Sequence, residues 1–259
     1  FDVSGDVSLN NPAQTYRKTR NIYGKTYYAY ECFISSVQMA DKIHAVFNYG
    51  DGLEISEDYS AEEYLNTPRD DEKDYELALL EAIRDYGHFA QLLLSETNNW
   101  EIDKRYARMN SDMIYSNDEK VRVTSAVAGH AISRDVGENS GIDNVKFSLT
   151  FESNTIINLY LNVSDSFTGE VSVSGESCVL HKLSDKKYKV EITDIPANQL
   201  NKIYSVNVTA GNSFTVKVSG LSYVNVVLAE DKDPVEIDAA LSLFRYHEAA
   251  KTYADKQSQ

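Results

Sequence analysis

Apolar positions recur at spacings of three and four through Leu80, Ile83, Gly87, Ala90 and Leu94, which predicts an amphipathic helix over about 74–95. The same pattern returns later in the chain. Ile83 aligns with Leu243, Tyr86 with Tyr246 and Ala90 with Ala250, each 160 residues on, within a helix expected over about 235–254. Upstream of each helix the correspondence continues: Tyr28 with Tyr188, residues 33–39 with 194–200, Gly50 with Gly211, and Tyr59-Ser60 with Leu221-Ser222. A spacing of this size exceeds the roughly 20–50 residues of a solenoid unit, so each copy is domain-sized.

Period-two alternation marks the strands. In the first copy it covers 27–34 and 42–49, with Gly50-Asp51-Gly52 turning the chain into a return strand that carries Leu53 and Ile55, a hairpin by its turn chemistry. Ser60 and Glu63 form a capping box that starts a short helix, and Thr67-Pro68 ends it. In the second copy, 145–150, 156–163, 170–173, 188–192, 203–208 and 214–218 read as strands, the last two joined at Ala210-Gly211-Asn212. Pro234 opens the closing helix, where its missing N–H costs nothing. Between the copies, 121–124 reads as a strand within a polar linker.

These elements predict an α+β, mainly β, chain: two tandem antiparallel β-sandwich-like units, each closed by a helix on its C-terminal side. The first unit spans 1–100, the linker 101–140 and the second unit 141–259. No counterpart of the strands at 145–163 is found in the first copy, which suggests truncation at its N-terminal side. Gly87 is costly inside a helix, by about 1 kcal/mol relative to Ala, and implies a close neighbour there.

The length, 259 residues, suits one or two domains. A net charge of −15 argues against a nucleic-acid surface and against anionic lipid. No apolar run reaches the roughly 18 residues of a membrane helix. The acidity is concentrated: between Asp51 and Asp85 there are 13 acidic and 3 basic residues. This reads first as a solvated surface. A Ca²⁺ site at Asp70, Asp71 and Asp74, or at Asp231 and Asp233, is the sharper alternative, although neither run has the loop pattern of a calcium-binding hand. No other metal or cofactor is expected. Cys32 and Cys178 fall at non-equivalent places in the two copies and are expected as free thiols.

Candidate chemistry is sparse. His44, His88, His130, His181 and His247 form no metal-binding spacing. His130, Ser133 and Asp135 lie close in sequence but lack a nucleophile-elbow context, and acidic pairs such as Glu62-Glu63 reveal no separation suited to glycoside hydrolysis. Catalysis is therefore not expected. Eighteen tyrosines are the notable excess. Tyr23, Tyr27, Tyr28 and Tyr30, with Trp100 in the linker, are the ligand-binding candidates, because an aromatic face stacks on a sugar ring. Packing is the competing reading for these rings. For Tyr86 and Tyr246, inside the helix repeat, packing is the expectation.

Residues 28–39, the Tyr49-Gly50-Asp51-Gly52 turn, 59–65 and the 80–91 helix, echoed by 188–200 and 243–253, resemble a tandem module of large secreted or surface-anchored proteins of gut Firmicutes such as ruminococci. The resemblance implies a secreted or cell-surface setting and neighbouring domains in a larger chain. It also implies a non-catalytic module that binds carbohydrate, a polysaccharide such as starch. The alternative is a structural spacer or adhesion module that contacts other proteins. The family supplies no catalytic motif.

Overall fold

The computed structural model describes residues 16–22, 25–31, 43–48, 54–60, 63, 73–98, 115–138, 140–151, 155–230 and 232–258. The protein is α+β, and its sheets are antiparallel.

Two hairpins come first. β1 (Tyr16–Ile22) pairs with β2 (Lys25–Glu31), and β3 (Ile43–Asn48) pairs with β4 (Glu54–Tyr59). The second is the hairpin expected from the glycine-flanked turn. β1 was not legible, because Tyr16–Ile22 alternates charged and polar residues without an apolar face. After β4, Ser60 and Glu63 exchange side-chain-to-backbone hydrogen bonds of 3.1 Å in both directions, the reciprocal capping box read from sequence. The helix it would start lies mostly outside the described residues.

Helix α1 (Asp74–Asn98) follows, with Asp74 and Glu76 in its first turn, where the helix dipole favours negative charge. Next comes α2 (Asn117–Val127), whose N-cap Ser116 accepts from the Glu119 N–H at 3.2 Å. This helix corrects the strand expected at 121–124. The β-branched run Val121-Arg122-Val123-Thr124 looks extended, but Ser116 caps a helix and only Val123 and Val127, four apart, are buried, both at 0% exposure.

A four-stranded sheet follows, in the order β5 (Ile142–Phe151), β6 (Thr155–Val163), β9 (Lys187–Ile195), β8 (Cys178–Ser184). A three-stranded sheet runs β11 (Ser213–Val218), β10 (Tyr204–Thr209), β7 (Ser172–Ser174). Most strands after residue 142 fall where alternation placed them, and β7 starts two residues later than expected. β8 was missed because its exposed alternate positions, Val179 and Leu183, are themselves apolar. On β10 the alternation is strict: Tyr204, Val206 and Val208 are buried while Ser205, Asn207 and Thr209 face out. Ile157, Leu159, Leu161, Val190 and Ile192 form the buried face of the larger sheet.

Helix α3 (Leu221–Ala229) is apolar nearly all round and is buried. Its apolar run has no helical stripe to announce it. Helix α4 (Pro234–Gln257) starts at Pro234 as expected. Both sheets, α2, α3 and α4 contribute to one continuous core, which also takes in Tyr86 and Ala90 of α1.

Helices α1 and α4 pack against each other and run antiparallel. Tyr75, near the start of α1, meets Tyr253, near the end of α4, at a ring separation of 6.0 Å, and Tyr86 stacks on Tyr246 at 5.5 Å. Gly87 is buried in this segment.

Candidate functional site

Three helices bound a groove of about 490 Å³. From α1, Ala78, Glu81, Ala82 and Asp85 line it, positions that share one helical face by their spacing. From α4, Arg245, Glu248, Ala249 and Thr252 line it with the same periodicity, and α2 supplies Glu119 and Arg122 one turn apart.

Arg122 is clasped by two carboxylates. Its Nε and one terminal nitrogen donate to Glu119 at 3.0 and 2.9 Å, and both terminal nitrogens donate to Glu248 at 3.1 and 2.8 Å. The clasp ties α2 to α4 and lays the guanidinium over the Phe244 ring at 5.5 Å. The Arg122 hydrogen bonds hold the Glu119 carboxyl below its usual range. Arg245 Nε lies 3.4 Å from Glu119, and its guanidinium sits over the Tyr115 ring at 5.2 Å.

Asp85 is the unusual member. It is 6% exposed, and its Oδ1 accepts no hydrogen bond. The nearest cation, Arg84, stands at 3.6 Å, beyond hydrogen-bond length. Burial raises the Asp85 pKa; Arg84 and Arg245 pull it back, and Glu81 adds to the rise. Near the start of α4, burial lifts the Asp238 carboxyl to about 6.

A second groove, of about 340 Å³, holds His130 and His247. His247 donates through Nδ1 to the Ala197 carbonyl at 2.7 Å, and His130 Nδ1 is 3.0 Å from the Ser219 hydroxyl. Burial lowers both imidazole pKa values. No group of three metal-ligating side chains occurs among the described residues.

Some of the candidates read from sequence fall among the described residues and others outside them. His130 turns to Ser219, whereas Ser133 pairs through its backbone with Lys217, so the triad of His130, Ser133 and Asp135 is not assembled. The grouping failed because proximity in sequence does not bring side chains to one point. His181 joins Glu191 across β8 and β9, and His44 joins Asp58 across β3 and β4. His88 is buried in α1. Cys178 is a half-buried free thiol, and Cys32 lies outside the described residues. Of the Ca²⁺ candidates, Asp74 and Asp233 are exposed beside helix starts, while Asp70, Asp71 and Asp231 lie outside the described residues. Tyr23 and Trp100 also lie outside them. Tyr27, Tyr28 and Tyr30 fall on β2, whose side chains are likewise outside the description.

The groove residues were not singled out from sequence. One signal was present: Asp85 interrupts the apolar side of the α1 pattern next to Tyr86, and a carboxylate is seldom buried there without a purpose.

No protein-family model matches the chain, and no curated protein and no solved structure shows significant similarity to it.

Proposed function

We propose that the chain is a non-catalytic spacer and protein-interaction module: two tandem β-sandwich-like units, each closed by a helix, joined where those helices pack. The observation that supports this reading is the Tyr86–Tyr246 stack, which ties α1 into the core that also holds α4. A spacer within a large secreted or surface protein needs such a joint, because units joined only by a linker swing freely. Among the residues whose side chains are described, Tyr86, Phe89, Tyr204 and Phe244 are buried and the other tyrosines and phenylalanines are half-buried.

A second reading, binding of a polysaccharide such as starch, keeps one supporting observation. Tyr28 and Tyr30 occupy alternate positions of the paired strand β2, a spacing that suits two rings beside a sugar chain.

Retention of the purified chain on starch, cellulose, xylan and mucin tests the choice. The spacer reading expects none. Retention on one glycan, abolished by Tyr28→Ala, Tyr30→Ala or Trp100→Ala, overturns it in favour of the polysaccharide reading.

A further inference from the structure

The groove that holds His130 and His247 joins four elements through two imidazoles. His247 is 4% exposed on α4, and its Nδ1 donates to the Ala197 carbonyl at 2.7 Å. At neutral pH the lone pair therefore sits on Nε2, which has no hydrogen-bond partner among the described residues. His130 closes the turn at 128–130 that follows α2. Its Nδ1 meets the Ser219 hydroxyl, which lies 3.3 Å from the Ser222 hydroxyl, and both serines are buried at the start of α3. His247 thus holds α4 to the turn at 197–199, and His130 holds the end of α2 to the start of α3.

Protonating His247 leaves the Ala197 bond in place and adds a charge at Nε2. What faces that charge decides the outcome. On α4 itself, Glu248 has both oxygens bonded to Arg122 of α2. Lys251 and Asp255, four residues apart, stand at the exposed rim and offset each other. From the other elements come His130, which gains its own charge in acid, and the uncharged Ala126, Asn201 and Leu221. The α1 carboxylates Glu81 and Asp85 line the other groove. Inside this groove, two like charges therefore form with no uncommitted carboxylate among the described residues to meet them, and burying them is costly.

Burial lowers the His247 pKa; the Ala197 bond and Glu248 pull it part of the way back, and Lys251 and His130 add to the fall. Burial lowers the His130 pKa as well. The folded state holds both protons less tightly than the unfolded state does. The stability that the neutral rings contribute is present above about pH 6.5 and is lost as pH falls through the lowered folded values.

We propose that His130 and His247 form an acid-sensitive latch: neutral, they close α4 against the turns at 128–130 and 197–199, and their joint protonation in mild acid releases the C-terminal half of α4. The inference deepens the spacer reading and rests on it for its consequence. Tyr253 of that half meets Tyr75 of α1, so mild acid loosens the joint between α1 and α4 from this end.

Hydrogen exchange of the full chain at pH 7.5 and about pH 5, corrected for the intrinsic rate at each pH, tests the latch. The opening constants of amides 247–254 should rise at least about fivefold in acid, while strand amides 157–161 and 190–192 hold. His130→Asn and His247→Asn place an amide where Nδ1 stands; each should reduce the rise, and together they should abolish it. Lys251→Met removes a like charge and should make the rise smaller. His88, Asp85 and Asp238 remain in every variant, so their titration is a shared background. Imidazole titration by NMR of the unaltered chain needs no variant to fold: protonation of both rings should coincide with the loss of protection. Unchanged opening constants at 247–254, an equal rise in the double variant, or strands that open together with α4 overturn the latch. Those outcomes leave the neutral-pH joint and the spacer reading standing, whereas glycan retention removes that reading independently.

Discussion

Tyr86 of α1 stacks on Tyr246 of α4 with ring centroids 5.5 Å apart and planes 24° from parallel. The two residues stand 160 apart in the sequence, and together with the Tyr75–Tyr253 contact the stack sets the two helices antiparallel. The adjoining residues Asp85 and Arg245 carry opposite charges: burial raises the Asp85 pKa, and Arg84 and Arg245 pull it part of the way back.

Removing either ring should cost about 3–5 kcal/mol, the usual range for emptying a buried aromatic site. The double variant Tyr86→Ala/Tyr246→Ala should be less destabilised than the sum of the singles, by about 0.5–1.5 kcal/mol for the lost stack. Urea denaturation of the three variants measures this. Strict additivity would show that the two rings do not interact.

Helices α1 and α4, the β3–β4 hairpin and most strands after residue 142 were legible in the sequence, because each has a clean period or a turn signal. That α1 and α4 touch was not legible, because a periodic apolar stripe does not say which element it packs against. The candidate site was scarcely legible. Asp85, Glu119, Arg122, Arg245 and Glu248 lie on three helices, two of them more than 100 residues from the third, and none belongs to a motif. α2 was misread because the propensity of Val121-Arg122-Val123-Thr124 was weighed without its cap at Ser116, and α3 was missed because a fully buried helix has no polar face to set a period.

Arg122→Ala should loosen the α2–α4 contact. With a side chain 47% exposed, solvent screening holds the cost to about 1 kcal/mol at low salt and less in 1 M salt. Arg122→Lys should recover little of it, because a point charge cannot reproduce two bidentate contacts. Denaturation midpoints at two salt concentrations check both statements.

Asp238 gives a pH signature. Its folded pKa, about 6, lies above the usual carboxylate value. The folded state therefore holds this proton more tightly than the unfolded state does. The stability it contributes is fully present below about pH 4 and is lost as pH rises through about 6. Asp238→Asn should accordingly stabilise the protein at pH 7.5 and have little effect at pH 4, as read by denaturation at the two values.

Glycine substitutions separate crowding from propensity. A Cβ at Gly220 would fall 2.6 Å from Leu200 Cδ2 and 3.2 Å from its Cα. Gly220→Ala should cost about 1–3 kcal/mol through overpacking at the start of α3. Gly129, with nothing within 4 Å of its would-be Cβ, should accept alanine with no loss of stability.

The joint between α1 and α4 is the central feature of the spacer reading, and native-state hydrogen exchange reads it residue by residue. Amides 82–90 of α1 and 239–247 of α4 should exchange with the same opening free energy and follow the same denaturant dependence, because both helices belong to one core. If the α1 amides open several kcal/mol more easily while those of α4 stay protected, the two units are not joined there, and the spacer reading falls with the joint.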